Sequence, residues 1–190
     1  FLDNLTPTSV QAGGTFSVDA NITDAQGNAV LDSQVDNTLT ATVIDANGTA
    51  GEATFTNNGT TEITATTQTT TFSGLAITQA GSYAIRVEDT ASELGFGLSE
   101  ALTITPAAAN AGQSTLSVDP GSLAANGEAT AQVVVTVKDQ YGNVRTSGGD
   151  DVFIEASSGQ VGTVTDQEDG RYTATLTSST QAGDHTLTAY

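Results

Sequence analysis

A chain of 190 residues with 22 acidic side chains against four basic ones, for a formal net charge of −18, cannot assemble the basic patch that nucleic acid or an anionic membrane surface requires. With no Cys and a single His, it is also poor in the nucleophile and base pairs on which covalent catalysis rests. No apolar run approaches the roughly 18 residues needed to span a bilayer, so neither nucleic acid nor membrane insertion is expected of this segment.

In chain order the signal is strand after strand. Phe16, Val18, Ala20 and Ile22 alternate with Ser17, Asp19, Asn21 and Thr23, the period of a sheet with one face buried and one wet. The first half predicts strands near 5–12, 15–23, 38–45, 51–56, 61–66, 70–78, 82–88 and 98–105. Gly13-Gly14, Asn47-Gly48 and Asn58-Gly59 supply turns between them. Pro106 to Gly112, PAAANAG, has little to bury and reads as a linker. The second half predicts strands near 114–118, 129–138, 151–156, 160–165, 171–178 and 185–190. No stretch has helical periodicity. The fold class is all-β, and about seven short strands per hundred residues point to two tandem immunoglobulin-like β-sandwich domains. The expected division is 1–106, a linker at 107–113, and 114–190.

An internal duplication supports that division. Asp24-Ala-Gln-Gly-Asn28 returns as Asp139-Gln-Tyr-Gly-Asn143, and Thr78-Gln-Ala-Gly81 returns as Thr180-Gln-Ala-Gly183. In the first motif the Asp side chain is expected to accept N–H groups two residues on, while Gly27 and Gly142 take the left-handed conformation. In the second, Tyr83 is expected to bury its ring and place its hydroxyl on backbone, with His185 at the matching position.

From Ser114 onward, STLSVDPGSLAANGEATAQVVVTVKDQYGNV followed by GRYTATLTSSTQAGDHTLTA resembles the bacterial Ig-like domains of the invasin and intimin type. In the first half, TFSGLAITQAGSYAIRV is similar, more loosely, to filamin-like and Ig-like repeats of bacterial surface proteins. It departs from the invasin pattern by a longer middle, 45–71. The resemblance implies tandem, extracellular, non-enzymatic repeats.

Candidate chemistry is sparse. His185 stands without a recognisable Ser or Asp motif. A glycosidase would need two carboxylates in an aromatic-lined cleft, and only 5% of the residues are aromatic. Asp166, Glu168 and Asp169 form one acidic turn and Asp150 with Asp151 another. These are the candidate Ca²⁺ ligands, since calcium takes several carboxylate and carbonyl oxygens; no other cofactor is expected. Asn4, Asn21, Asn47 and Asn58 fit the N-glycosylation pattern. Lys138 is the one lysine that could form an isopeptide crosslink.

The expected function is a structural stalk or spacer in an exported prokaryotic surface adhesin or filament. Two units end to end would give a rod on the order of 70–80 Å, from about 33 Å per ten-residue strand. The alternatives are a carbohydrate- or protein-binding adhesin module, with 45–71 as its recognition surface, and an Ig-like subunit of a viral or cellular filament. Expected partners are neighbouring repeats or copies of itself, joined by strand addition, and a host-surface or glycan ligand. The chain begins without Met and is expected to be a fragment or a mature form. By the duplication, the second unit is expected to lack the strand that closes the first; either the native chain continues and supplies it, or a neighbouring molecule donates one, with Phe1–Val10 as the donor if the protein assembles head to tail.

Overall fold

The computed structural model describes residues 2–24, 26–28, 30, 31, 35–50, 53–56, 59–89 and 95–190. These fall into two compact units, Phe1–Thr105 and Pro106–Tyr190. The described elements are all strands.

In the first unit, β1 (Leu2–Thr6), β3 (Thr15–Asn21) and β6 (Thr69–Ala76) form one sheet, with β3 in the centre. The opposing sheet runs in the order β2 (Ser9–Gln11), β9 (Leu102–Thr105), β7 (Gly81–Asp89), β4 (Asn37–Asp45), β5 (Glu62–Ala65). β8 (Phe96–Leu98) also pairs with β7. The predicted strand 5–12 is thus two strands on different sheets. The chain crosses between them at Pro7, which cannot donate to a ladder, and β2 then pairs in parallel with β9. No strand forms at 53–56, where the Thr56 amide instead donates to the Ala76 carbonyl; the predicted strand's first two residues lie outside the described residues. Alternation drives the packing. Phe16, Val18 and Ala20 of β3 are buried while Ser17, Asp19 and Asn21 face outward. Phe72 and Leu75 join them, and Leu39, Val43, Ile85 and Leu102 line the inner face of the other sheet.

In the second unit, β10 (Thr115–Asp119), β11 (Thr130–Thr136), β15 (Arg171–Thr177) and β13 (Gln160–Val161) lie side by side, and β14 (Thr165–Asp166) also pairs with β15. The predicted strand 160–165 is therefore broken into β13 and β14. The second sheet has two strands, β12 (Ile154–Ala156) and β16 (Leu187–Ala189), joined antiparallel with Ile154 opposite Ala189 and Ala156 opposite Leu187. Val133, Val135 and Val137 meet Ile154, Tyr172 and Ala174 in the core, with Leu187 and Ala189 packed at its margin. Each fully buried aliphatic side chain contributes about 1.5–3 kcal/mol.

The segment read as a linker is bonded into this second unit. The Asn110 amide donates to the Lys138 carbonyl at 2.7 Å, and Ala109 bridges to Asp139. Its small side chains bury little, but its backbone groups are used.

Candidate interaction surface

The Asp-x-x-Gly-Asn turns are built as small hydrogen-bond cages. In the second unit, Asp139 Oδ1 accepts the amides of Tyr141 and Asn143, each at 2.9 Å, and Oδ2 accepts Asn143 Nδ2 at 2.8 Å. Gly142, at φ +87°, carries the chain through the left-handed region and donates to the Asp139 carbonyl. Asp24 makes the same contacts with Gln26 and Asn28. The closing Asn is thus explained, since its side-chain amide occupies the second carboxylate oxygen.

The predicted Asn47-Gly48 turn is a third such cage, and the part played by Asp45 escaped the sequence reading. Asp45 Oδ1 accepts the amides of Asn47 and Thr49, and Gly48 donates to the Asp45 carbonyl. Thr49 stands where the other two have Asn, which hid the pattern; Asp at one position and Gly three later was the available signal.

Asp139 differs from its counterparts in being fully buried. It accepts one more hydrogen bond, from the amide of Ala107 to Oδ2 at 2.9 Å. Burial alone would push its carboxyl up. The bonds from Asn143, Ala107 and Tyr141 outweigh that and hold it below its ordinary value of 3.8. Arg145 grips the same segment, its Nη1 donating to the Ala107 carbonyl at 3.0 Å.

Three of the five carboxylates considered for calcium have partners. Asp166 accepts the amides of Gly149 at 2.8 Å and Glu168 at 2.7 Å, tying the two acidic turns together. Asp169 forms an ion pair with Arg171 at 2.9 Å, and Asp150 one with Arg145 at 3.3 Å. Asp151 and Glu168 are exposed. Among the described residues no group of three or more acidic, His or Cys side chains is arranged to hold a metal ion.

His185 is exposed, its ring Nε2 3.2 Å from the Gln181 carbonyl, and it precedes β16 rather than lying within it. The duplication pairs it with Tyr83, which is buried. In the second unit the tyrosine that combines a core ring with a hydroxyl on backbone is Tyr172: it is buried, and its hydroxyl accepts the Asp150 amide at 2.8 Å. Burial, together with the Asp150 and Asp166 carboxylates, raises its pKa.

The 45–71 region is partly built into the first sandwich. β5 extends the sheet beside β4, Ala53 and Ala65 are buried, and Phe55 packs on Phe16 with ring centroids 6.3 Å apart. Residues 51, 52, 57 and 58 lie outside the described residues, and Asn58 of the predicted Asn58-Gly59 turn and glycosylation pattern is among them.

β16 pairs with β12 along one edge. Tyr190 and Phe153 exchange backbone hydrogen bonds at 3.0 and 2.9 Å, and the Ser157 amide donates to the Thr186 carbonyl. Antiparallel alternation then turns the N–H and C=O groups of Leu187 and Ala189 toward the other edge. Among the described residues no strand pairs with that edge. Between it and β10 lies an apolar cleft of about 420 Å³ lined by Leu116, Val135, Val137, Leu187 and Ala189, with Asp150 and Asp151 at its rim. A second cleft of about 780 Å³ continues past Leu187 toward Val118, Leu123 and Leu176, with Asp184 beside it. On the outer face, the exposed rings of Phe153 and Tyr190 stack with centroids 6.1 Å apart.

Residues 110–190 match the family model of invasin, domain 3. Among solved structures, the chain is similar to invasin, described as a bacterial integrin-binding protein, at 22% identity and a TM-score of 0.45 over 100% of this chain and 36% of that one. It is similar to the Escherichia coli adhesin FdeC at 22% identity and 0.46, over 97% of this chain and 57% of that one. It is also similar to InvD of Yersinia pseudotuberculosis at 25% identity and 0.48, over 97% of this chain and 50% of that one. The chain therefore spans between about a third and just over half of the length of these proteins. Residues 110–190, which include the Asp139 turn and the buried Tyr172, are the part of the chain similar to invasin domain 3, and the second unit is an immunoglobulin-like β-sandwich.

Proposed function

We propose that this chain is a non-enzymatic structural spacer in a bacterial surface adhesin, exported and displayed outside the cell. The observation that carries this reading is the match of 110–190 to invasin domain 3. Two further features support it. The structure spends its polar side chains on closing turns, as at Asp24, Asp45 and Asp139. Its acidic surface suits solubility over adhesion to anionic surfaces. The test replaces the chain, within the adhesin that carries it, by an unrelated Ig-like pair of equal length. Attachment to the target surface is retained if the chain is a spacer. Loss of attachment with surface display intact overturns the reading and makes the chain a binding module.

A further inference from the structure

We propose that the folded chain withstands proteases that cut after lysine or arginine, and that in the second unit this resistance is set by the Asp139 turn. Such a protease takes the basic side chain into an acidic pocket and holds the chain on either side as an extended strand. The side chain and the backbone around it must therefore both be free. The chain offers four such bonds, after Arg86, Lys138, Arg145 and Arg171, all within the described residues.

Two of them are closed by the sheets. Arg86 lies in β7 between Thr42 of β4 and Leu98 of β8, with its guanidinium 2.7 Å from Glu88 and over the Phe96 ring. Arg171 opens β15 opposite Thr136. Its amide donates to Asp169 Oδ1, its carbonyl accepts the Gln167 amide, and its side chain is paired with Asp169.

The other two lie outside the regular strands, on either side of the Asp139 turn. The Lys138 amide donates to Ser114 Oγ and its carbonyl accepts the Asn110 amide. Across the bond to be cut, the Asp139 amide donates to the Asn143 carbonyl. The Arg145 amide donates to the Val137 carbonyl, and its side chain is tied to Asp150 and to the Ala107 carbonyl. Gly170 packs so closely on the Arg145 carbonyl that no Cβ would fit between them. The buried Asp139 carboxylate holds 138–145 in this shape through Tyr141 and Asn143, and fastens it to Ala107. Irregular segments are ordinarily where proteases nick a domain. Here local opening requires the cage to break first.

The test is trypsin digestion of the intact chain at neutral pH, with the fragments followed in time by mass spectrometry. Ser122→Lys, in the exposed segment between β10 and β11, is the positive control. It should be cut at residue 122 while the unaltered chain stays whole over the same period. Asp139→Ala should be cut after Lys138 and Arg145 about tenfold faster or more than the unaltered chain, because cleavage follows the population of the open form. Those cuts should precede the one after Arg171. Asn143→Ala, which removes the side-chain bond to Asp139 Oδ2, should act the same way to a smaller degree, and it carries the test if Asp139→Ala does not fold. Cleavage of the unaltered chain as fast as that of Ser122→Lys overturns the resistance. Rates unchanged in both variants, or cuts after Arg171 as early as those after Lys138 and Arg145, overturn the role of the Asp139 turn.

Discussion

The carboxylate of Asp139 accepts the backbone amide of Ala107 at 2.9 Å across a sequence separation of 32 residues. A five-residue turn that would be self-contained elsewhere is here made part of the domain's entrance. The comparison with Asp24 isolates that contribution, since Asp24 closes the same turn while exposed.

Asp139→Ala should therefore cost far more than Asp24→Ala. The first strands several buried donors, for a loss on the order of 3 kcal/mol or more; the second gives up only an exposed turn and should cost much less. Urea unfolding of the two variants measures the difference. Equal losses would show that the Ala107 bond adds nothing.

Acid should unfold the protein through these same groups. Asp24, Asp45 and Asp139 are held below the ordinary carboxyl value of 3.8. The leading causes are the Asn28 side chain for Asp24 and the Thr49 amide for Asp45; for Asp139, burial acts in the opposite sense and the hydrogen bonds prevail. A carboxyl depressed in the folded state contributes stability that is complete above its unfolded value and lost as pH falls through its folded one. Stability should thus be flat from neutrality down to about pH 5 and decline below pH 4. In Asp139→Asn the decline should be shallower, as a pH series of thermal melts would show.

The turn at 166–170 carries backbone strain that substitution can read. Glu168 sits at φ +61° without being Gly, so Glu168→Gly should stabilise by up to about 1 kcal/mol. Gly170 at φ +81° is the reverse case, because a Cβ there would meet the Arg145 carbonyl as well as adopt the left-handed region. Gly170→Ala should cost more than Gly142→Ala, whose added Cβ meets nothing within 4 Å and which pays about 1–2 kcal/mol of conformational strain alone. Equal costs would mean that the Arg145 backbone yields.

Salt should raise the melting temperature, most steeply at low ionic strength, because a net charge of −18 opposes compaction and ions screen it. Calcium at matched ionic strength should do no more than sodium, since Asp150 and Asp169 are paired with arginines and Asp166 with backbone amides. An excess stabilisation by millimolar Ca²⁺ would assign the acidic turns a cation after all.

Local patterns were legible where one residue dictates its neighbours. Period two gave β3 with the right face inward, because side-chain alternation follows from strand geometry alone. The Asp-x-x-Gly-Asn cages were legible for the same reason. What was hidden depends on distant partners. PAAANAG reads as a linker because its side chains are small, yet Asp139, Lys138 and Arg145 hold its backbone. The N-terminal stretch looked spare because nothing in its sequence reveals that Leu2–Thr6 pairs with β3 and Ser9–Gln11 with β9. The break between β8 and β9 turns on Ser99, whose hydroxyl and amide both bond to Ile85, a contact without a sequence signature.

The grip on Ala107 has a mechanical side. Tension drawn along the chain into the second unit meets two bonds on one residue before it reaches β10: the amide of Ala107 held by Asp139 and its carbonyl held by Arg145. Both anchors belong to the stretch that follows β11, so the load is shared with the centre of the sheet instead of peeling an edge strand one bond at a time. The Asp139 turn is in this sense a first tether point, backed before β10 by the bond of the Asn110 amide to the Lys138 carbonyl.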